Sequence, residues 1–395
     1  MKLGIEVLAA APKAAQAWGR CALLCNQASV TQNFKSSWDL LRDLLGTRLV
    51  AFFGPQHGFH ATVQDNMIET GHHNAGPFGL PVYSLYSETR EPRPEMLDGV
   101  DTIIIDLQIV GCRVYTFKYT IAGCLRMAKK LGKRVVVLDR PNPLAGEAME
   151  GRVLDLEAKS FVGEYAIPLR HGLSVAESAR CFNTEIGAEL EIIPMGGWNP
   201  KAYWGEHSKH WILTSPNLPT VDSVYVYPAT VMLEGTNLSE GRGTGLPFQF
   251  VGAPYIKDGA QYAARVNDYY RSAGVFLRPA EFQPTSQKWA GDVCRGFQIH
   301  VLDPHHIHTF PLGLAIMKAA MDLAPQGFAW KGPGYEYDFT NLPINLILGH
   351  LKAHVHIEKN FSVKDPFWSE GLAECQKKAE ALLMYPRALK PMLVE

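Results

Sequence analysis

The chain has no run of apolar residues long enough to cross a bilayer, which argues against an integral membrane protein. It has no Cys-x-x-Cys pair, and its seven cysteines are an odd number at scattered positions. This pattern favours reduced, mostly buried thiols over a disulfide framework and indicates a reducing compartment. Internal repeats and low-complexity tracts are also missing, so repeat proteins and largely disordered chains are excluded.

A charge excess of either sign is missing too, because the formal net charge is only -1. Without a global field the chain has nothing to attract nucleic acid or an anionic membrane, and we expect neither as a partner. An apolar content of 47% with 19% charged residues is typical of a globular enzyme. At 395 residues the chain exceeds one typical core, so two domains are expected.

Two nucleotide-binding signatures are missing as well, although glycine is abundant. No Gly-x-Gly-x-x-Gly follows the first strand, and no glycine-rich loop ends in a lysine followed by Ser or Thr. The glycine-rich segment 234–245 (EGTNLSEGRGTG) instead combines four glycines with Glu234, Asn237, Glu240 and Arg242. Glycines let a backbone approach a ligand closely, so this composition indicates a binding loop rather than a linker. A nucleotide-dependent transferase is suggested only by the sheet type predicted next.

Short apolar runs alternate with amphipathic segments over the first two-thirds of the chain, which predicts a parallel α/β sheet. The strand-like runs are 21–24, 49–53, 102–105 and 135–138. Each ends in polar residues, and ligands of open α/β sheets bind beyond the carboxyl ends of the strands. We therefore expect the four ends to converge on one crevice. The pattern changes after Gly245, so we predict a Rossmann-like domain over 1–245 and a smaller α+β domain over 246–395.

Several motifs, read in order, resemble the NamZ family of exo-β-N-acetylmuramidases. They are 53–59 (FGPQHGF), 82–86 (VYSLY), 106–108 (DLQ), 113–116 (RVYT), 138–144 (LDRPNPL), 170–172 (RHG), 215–217 (SPN), 234–245 and 288–301. The resemblance implies a Rossmann-like domain without nucleotide, a smaller C-terminal domain, and a cleft that releases terminal N-acetylmuramic acid from peptidoglycan fragments. It implies a small saccharide as partner and no metal or organic cofactor. It does not indicate an oligomeric state.

Many members of the family carry a signal peptide. Here Glu6 interrupts an apolar start that is already short, so we interpret it as the first structural element. A cytoplasmic enzyme of cell wall recycling, or a paralogue with another sugar substrate, would fit that difference.

The sequence departs from the family pattern at two positions. The family usually has a glutamate, its candidate catalytic carboxylate, in the motif Gly-Pro-Glu-His-Gly, and this chain has Gln56 at that position. The family also usually has an acidic residue where this chain has Ile109. Glycoside hydrolysis normally uses two carboxyl groups, but a substrate's N-acetyl group can replace the nucleophile. The candidate catalytic residues are Gln56, His57, Glu69, Asp106 and Glu240. Glu240 is the preferred acid, with bracing of its own loop through Arg242 as the alternative.

The candidate substrate-binding residues lie in the same motifs. They are Arg113, Tyr115, Asp139, Arg140, Asn142, His171, Asn217, Glu234, Asn237 and Arg242. Among them, Arg113 and Arg140 are suited to binding the lactyl carboxylate of muramic acid in a bidentate manner.

Structural alternatives accompany several of these assignments. Asp139 and Arg140 could pair within a rigid turn, and the residues after His171 could open a helix with a Ser174–Glu177 capping box. A zinc site among the histidines that follow the second strand is disfavoured, because His72 and His73 are adjacent and no His-Glu-x-x-His supports them. The alternative function is a noncatalytic amino-sugar binding or regulatory protein that has lost the family carboxylates.

Overall fold

The four predicted parallel strands lie in one sheet. In the computed structural model, which describes residues 1–65, 67–74, 76–207 and 210–392, each strand begins and ends within one residue of its predicted run. The strands in chain order are β1 (Cys21–Cys25), β2 (Leu49–Gly54), β3 (Val82–Ser84), β4 (Thr102–Asp106), β5 (Arg134–Leu138), β6 (Ala148–Met149), β7 (Glu189–Ile193), β8 (Phe250–Ala253), β9 (Val275–Phe282), β10 (Cys294–Val301) and β11 (Lys390–Pro391).

The larger sheet has the order β3-β2-β1-β4-β5-β7, and all of its neighbouring strands are parallel. From β1 the chain adds β2 and β3 on one side and then β4, β5 and β7 on the other side. The change of side, between β1 and β4, is the switch point of a doubly wound sheet. The sequence patterns did not indicate β3 and β7. β3 spans only three residues, and β7 has Glu189 and Glu191 on a partly exposed edge.

Both faces of this sheet are buried, as its continuous apolar runs require. On one face Leu23, Phe52 and Ile104 pack in one apolar cluster, whereas the neighbouring residues Leu24 and Phe53 belong to the main core on the other face. The alternation follows from the period of two along a strand. The sheet is thus a rigid support for the loops at its carboxyl edge.

Helices cover the two faces and build the rest of the molecule. They are α1 (Gly4–Ala10), α2 (Ser37–Leu45), α3 (Phe117–Leu131), α4 (Val175–Ile186), α5 (Trp204–His207), α6 (Val221–Thr230), α7 (Gly259–Tyr269), α8 (Thr309–Leu323), α9 (Pro343–Leu348), α10 (Ala353–Lys359) and α11 (Leu372–Glu380). α1 confirms the start of the chain as a structural element. α4 confirms the predicted capping box, in which Ser174 and Glu177 satisfy each other's backbone amides. No helix of the described residues is long and apolar enough to cross a membrane.

The C-terminal part contains a small antiparallel sheet with the order β8-β10-β9, which confirms the predicted α+β character. α7 and the core helix α8 pack in the same apolar core as this sheet. The domain boundary at 245/246 remains a prediction. All seven cysteines lie in the described residues, and each is a free thiol, five of them buried.

The end of the chain returns to the N-terminal part. β11 pairs with β6, and the segment before it brings Tyr385 and Arg387 into buried contacts with Asp139 and Glu177. These contacts join the end of the chain to residues beside β5 and on α4, which are distant from it in sequence.

Candidate functional site

A narrow pocket lies where the end of β2 meets loops from the second half of the chain. Its polar lining residues are Gln56, His57, Tyr115, Thr116, Ser215, Asn217, Tyr227, Glu234, Arg242, Tyr335 and Glu336. The pocket holds only about 30 Å³ of free space. A wider cavity of about 490 Å³ adjoins it and shares Glu234, Arg242 and Tyr335 with it.

The Glu336 carboxyl group is the first notable feature of the pocket. Its side chain is buried, its Oε1 accepts a hydrogen bond from Gln56 Nε2 at 3.1 Å, and its Oε2 accepts one from the Tyr86 hydroxyl at 2.8 Å. Thr116 Oγ1 donates to Gln56 Oε1 at 2.5 Å, which fixes the orientation of the amide. Burial raises the pKa of Glu336 despite the bonds from Tyr86 and Gln56.

The pKa of Glu234 is shifted in the opposite direction to that of Glu336. Burial by itself would raise its pKa, but the charge of Arg242 and the hydrogen bonds of Tyr335 and Arg242 hold the pKa of Glu234 below its usual value. Arg242 Nη2 lies 2.5 Å from Glu234 Oε1, and the Tyr335 hydroxyl lies 2.6 Å from Glu234 Oε2. Glu234 is therefore an ionised carboxylate beside a carboxyl group that favours its protonated form.

Such a pair is the arrangement that acid catalysis beside a developing positive charge requires. Two carboxyl groups whose surroundings move their pKa values apart can serve as an acid and an anion in the same pocket. Here Glu336 is suited to donate a proton and Glu234 to stabilise a cation. The two residues reach one pocket from segments about a hundred positions apart.

His57 adds a neutral hydrogen-bonding group. Burial lowers its pKa to about 4, so the ring is uncharged at neutral pH. Its Nδ1 lies 2.7 Å from the Val63 carbonyl oxygen, and because a carbonyl oxygen only accepts, Nδ1 carries the proton. Nε2 is consequently the basic nitrogen of the ring, with a lone pair available to accept a hydrogen bond.

The backbone of the pocket adopts unusual angles at three residues other than glycine. His57, Phe248 and Glu336 have φ values of 70°, 66° and 45°, in the left-handed region that such residues rarely occupy. Conformations of this kind cost roughly 1–3 kcal/mol each and concentrate at functional sites. Their clustering here supports a functional role for the pocket.

The wider cavity is lined by the predicted binding loop. Lys288 Nζ lies 2.8 Å from Glu240 Oε2, and Arg242 Nε lies 3.3 Å from Glu240 Oε1. Glu240, the preferred acid from the sequence, thus braces its loop between two cations, as the alternative interpretation stated. Asn237 lines the same cavity, and its amide is held by Gly327 O and the Tyr255 hydroxyl.

Eight of the predicted site residues are brought together by these two spaces: Gln56, His57, Tyr115, Asn217, Glu234, Asn237, Glu240 and Arg242. The remaining seven lie elsewhere.

The expected convergence of all four strand ends has to be corrected: of the polar residues that directly follow the four strands, those after β2 line the pocket, and the loop after β4 reaches it only farther along, at Tyr115 and Thr116. Beyond β4, Asp106 is fully buried and receives two hydrogen bonds from Arg140, at 2.5 and 2.8 Å. Asp139 accepts from Ser174 and Tyr385, and Asn142 donates to Leu173 O. These polar groups are engaged with one another and with neighbouring backbone, at the sheet edge where other doubly wound sheets hold a nucleotide.

Three other predicted residues also lie outside the pocket. Arg113 is buried and donates to the carbonyl oxygens of Arg152, Ile167 and Ile347, so it ties loops together. The other two lie apart from it: His171 contacts Lys118 Nζ at 3.0 Å, and Glu69 is half-exposed beside Arg90.

Sequence reasoning missed Glu336 and its neighbour Tyr335, whereas Tyr86 lies in the motif 82–86 that carried the family resemblance. A signal was present, because segment 332–338 (GPGYEYD) places a carboxylate between two tyrosines after two glycines. The composition argument that identified segment 234–245 applies equally to this segment. In the described residues no three His, Cys, Asp or Glu side chains converge into a set that could hold a metal ion.

Comparison with known proteins agrees with the motifs. The profile of the N-terminal part of the exo-β-N-acetylmuramidase NamZ matches residues 21–222, and that of its C-terminal part matches residues 225–385. Peptidoglycan β-N-acetylmuramidase NamZ of Bacillus subtilis (strain 168) is 41% identical over 336 residues, which cover 85% of this chain and 80% of that protein.

Two crystal structures of DUF1343 family proteins from Bacteroides fragilis NCTC 9343 resemble the fold. One has a TM-score of 0.85 at 27% identity and covers 98% of this chain and 99% of its own. The other has a TM-score of 0.73 at 24% identity and covers 97% of this chain and 98% of its own. At that identity it supports the fold alone. The resemblance inferred from the sequence motifs is confirmed, and the chain belongs to the NamZ exo-β-N-acetylmuramidase family.

Proposed function

We propose that the protein is a glycoside hydrolase that releases terminal N-acetylmuramic acid from peptidoglycan fragments. The observation that carries this proposal is the buried Glu336 carboxyl group, held by Gln56 and Tyr86 beside the ionised Glu234. Family membership and the named activity of the Bacillus subtilis relative support the same reaction.

In the proposed mechanism Glu336 is the general acid. The saccharide occupies the wide cavity, and its glycosidic bond lies where this cavity joins the narrow pocket. Glu336 donates its proton to the leaving oxygen, and the hydrogen bonds from Gln56 and Tyr86 keep the carboxyl group oriented for that transfer. Gln56 therefore positions the acid and does not itself transfer a proton.

Glu234 stabilises the positive charge that develops on the sugar ring. Both of its oxygens already accept strong hydrogen bonds, from Arg242 and Tyr335, which lowers its reactivity as a nucleophile. The carbonyl oxygen of the substrate's N-acetyl group attacks the anomeric carbon as the bond to the protonated leaving oxygen breaks. Water then opens the oxazolinium intermediate and gives a proton back to the Glu336 carboxylate, as in substrate-assisted glycosidases. The Nε2 atom of His57 accepts a hydrogen bond from a sugar hydroxyl or from the incoming water.

The pH dependence of kcat/KM follows from the two carboxyl groups. Activity needs a protonated Glu336, so kcat/KM falls as pH rises through the elevated pKa of Glu336. Activity also needs an ionised Glu234, so kcat/KM falls as pH drops through the depressed pKa of Glu234. A Gln56→Glu change places a second carboxyl group beside Glu336, which raises the pKa of the pair and moves the basic limb to higher pH. The measurement is the pH profile of both proteins.

Gln283→Glu is the matched control, because it makes the same chemical change at an exposed position outside the pocket. Its profile is expected to follow that of the unmodified protein. A basic limb that stays in place in Gln56→Glu would show that Glu336 is not the titrating acid.

The activity itself is tested with para-nitrophenyl β-N-acetylmuramic acid beside its N-acetylglucosamine counterpart. We expect chromophore release from the muramic substrate, with little from the other sugar. Binding of free N-acetylmuramic acid is followed in parallel by thermal shift, because a ligand of the native state raises its stability. Binding without turnover would favour the noncatalytic sugar-binding protein, and absence of both would contradict the proposed substrate.

The physiological setting is part of the same proposal. Released N-acetylmuramic acid is a product that cell wall recycling can consume, and the cytoplasmic location expected from the sequence remains a prediction. Cell fractionation followed by detection of the protein checks it.

A further inference from the structure

The wide cavity contains three cationic side chains, and two of them are already engaged. Arg242 pairs with Glu234 and Glu240. Lys288 Nζ lies 2.7 Å from Leu233 O, 2.9 Å from Leu238 O and 2.8 Å from Glu240 Oε2. An ammonium group has three donors, so Lys288 has none left for a ligand.

Lys331, the third cation, is differently placed. Its side chain is exposed on the cavity wall, and across the described ranges no carboxylate lies within 4.0 Å of its Nζ. Asp65 lines the same cavity, but its carboxylate accepts a hydrogen bond from the neutral Gln287 amide. Lys331 thus presents an ammonium group that an anionic ligand can reach.

The position of Lys331 relative to the pocket is fixed by its neighbours. Its backbone N–H donates to Gly235 O at 2.9 Å, which anchors it to the binding loop. Its Nζ lies 5.6 Å from the centre of the Tyr335 ring, and the Tyr335 hydroxyl contacts Glu234. The Tyr335 ring would therefore lie between an anion bound by Lys331 and the Glu234 carboxylate, which in the proposed mechanism faces the reacting sugar.

Muramic acid differs from glucosamine by a lactyl ether on O3, which carries a carboxylate. We propose that Lys331 binds this carboxylate and so selects muramic over glucosamine substrates; the inference rests on the proposed function. Arg113 and Arg140, the sequence candidates for this role, are both buried in other contacts. The flexible four-carbon arm of lysine suits an anion whose position varies with the torsion of the ether.

The test compares the ratio of kcat/KM for the two para-nitrophenyl sugars in Lys331→Gln, Lys331→Arg and the unmodified protein. We expect Lys331→Gln to lower the muramic-to-glucosamine ratio about tenfold, mainly through the KM of the muramic substrate, as loss of a charge-assisted hydrogen bond predicts. Lys331→Arg keeps most of the ratio. Lys257→Gln, at an exposed lysine outside the cavity, is the matched control and leaves it unchanged.

The affinities of free sugars test the role of Lys331 independently of hydrolysis. N-acetylmuramic acid, N-acetylglucosamine and N-acetylglucosamine 6-phosphate are titrated against each protein by calorimetry. Weaker binding of the muramic sugar alone in Lys331→Gln supports the role of Lys331, even if the unmodified protein turned out not to cleave. Equal muramic affinity in both proteins, a loss confined to the phosphate sugar, or no binding of any sugar would overturn it.

Discussion

Glu336→Gln is expected to lower kcat/KM for the muramic substrate by about 10²- to 10⁴-fold, the usual contribution of a general acid. The amide has nearly the shape of the carboxyl group: its oxygen can still accept from Gln56, and its NH2 group can donate to the Tyr86 hydroxyl oxygen, so the fold is expected to persist. What is lost is the proton delivered to the leaving oxygen. Steady-state hydrolysis of the para-nitrophenyl substrate measures the effect.

A better leaving group separates the loss of an acid from general damage to the site. A dinitrophenyl leaving group needs little protonation, so Glu336→Gln is expected to recover much of its activity on that substrate. Glu358→Gln is the matched control, since Glu358 contacts Trp330 on the surface of the same part of the chain. An equal loss on both substrates would remove Glu336 from the role of acid.

The large sheet could be predicted from the sequence because its strands are buried on both faces. Runs such as 102–105 are continuously apolar, and that pattern holds whatever the neighbouring strands are. β7 escaped prediction because it is an edge strand with alternating glutamates, and its place is decided by pairing with β5. The local sequence pattern therefore predicts the central strands of the sheet, whereas the edge strand β7 is fixed by pairing with β5, which the local sequence does not show.

The candidate site was predictable only in part, for a related reason. Strand ends indicate where polar residues lie along the chain, but they do not show whether these residues face a ligand or each other. Asp106 and Arg140 had the residue types of a binding site, and they form a buried ion pair. Glu336 meets Gln56 across 280 positions of sequence, a contact that no local spacing encodes. Gln56 and His57 were found because they directly follow β2 within a family motif, and the pocket residues of segment 234–245 were found because of the unusual composition of that segment.

The identity of residue 56 has a physical consequence for the pocket. Gln56 donates a hydrogen bond to Glu336 without adding charge, so Glu336 titrates beside a neutral amide. A glutamate at that position would form a closely coupled pair of carboxyl groups, in which one proton is shared between two sites. Gln56 therefore leaves a single acid in the pocket, and its titration is governed mainly by burial.

The largest expected change in stability comes from the returning C-terminal segment, at Arg387. Its Nη1 and Nη2 lie 2.8 and 2.6 Å from the two oxygens of Glu177, and both side chains are completely buried. Arg387→Met would leave the Glu177 carboxylate buried without its cation, at a cost of about 3–5 kcal/mol in the free energy of unfolding. Chemical denaturation followed by tryptophan fluorescence measures the loss.

Lys390→Met provides the control within the same segment, because Lys390 pairs with Glu147 at 2.8 Å with its side chain 58% exposed. An exposed pair contributes about 0–1 kcal/mol, so this variant is expected to remain close to the unmodified protein. Combining Arg387→Met with Glu177→Gln completes a double-mutant cycle, in which the double variant is more stable than the sum of the single losses predicts. Additive losses, or equal effects at Arg387 and Lys390, would mean that the segment is held by its strand pairing with β6 and not by the buried ion pair.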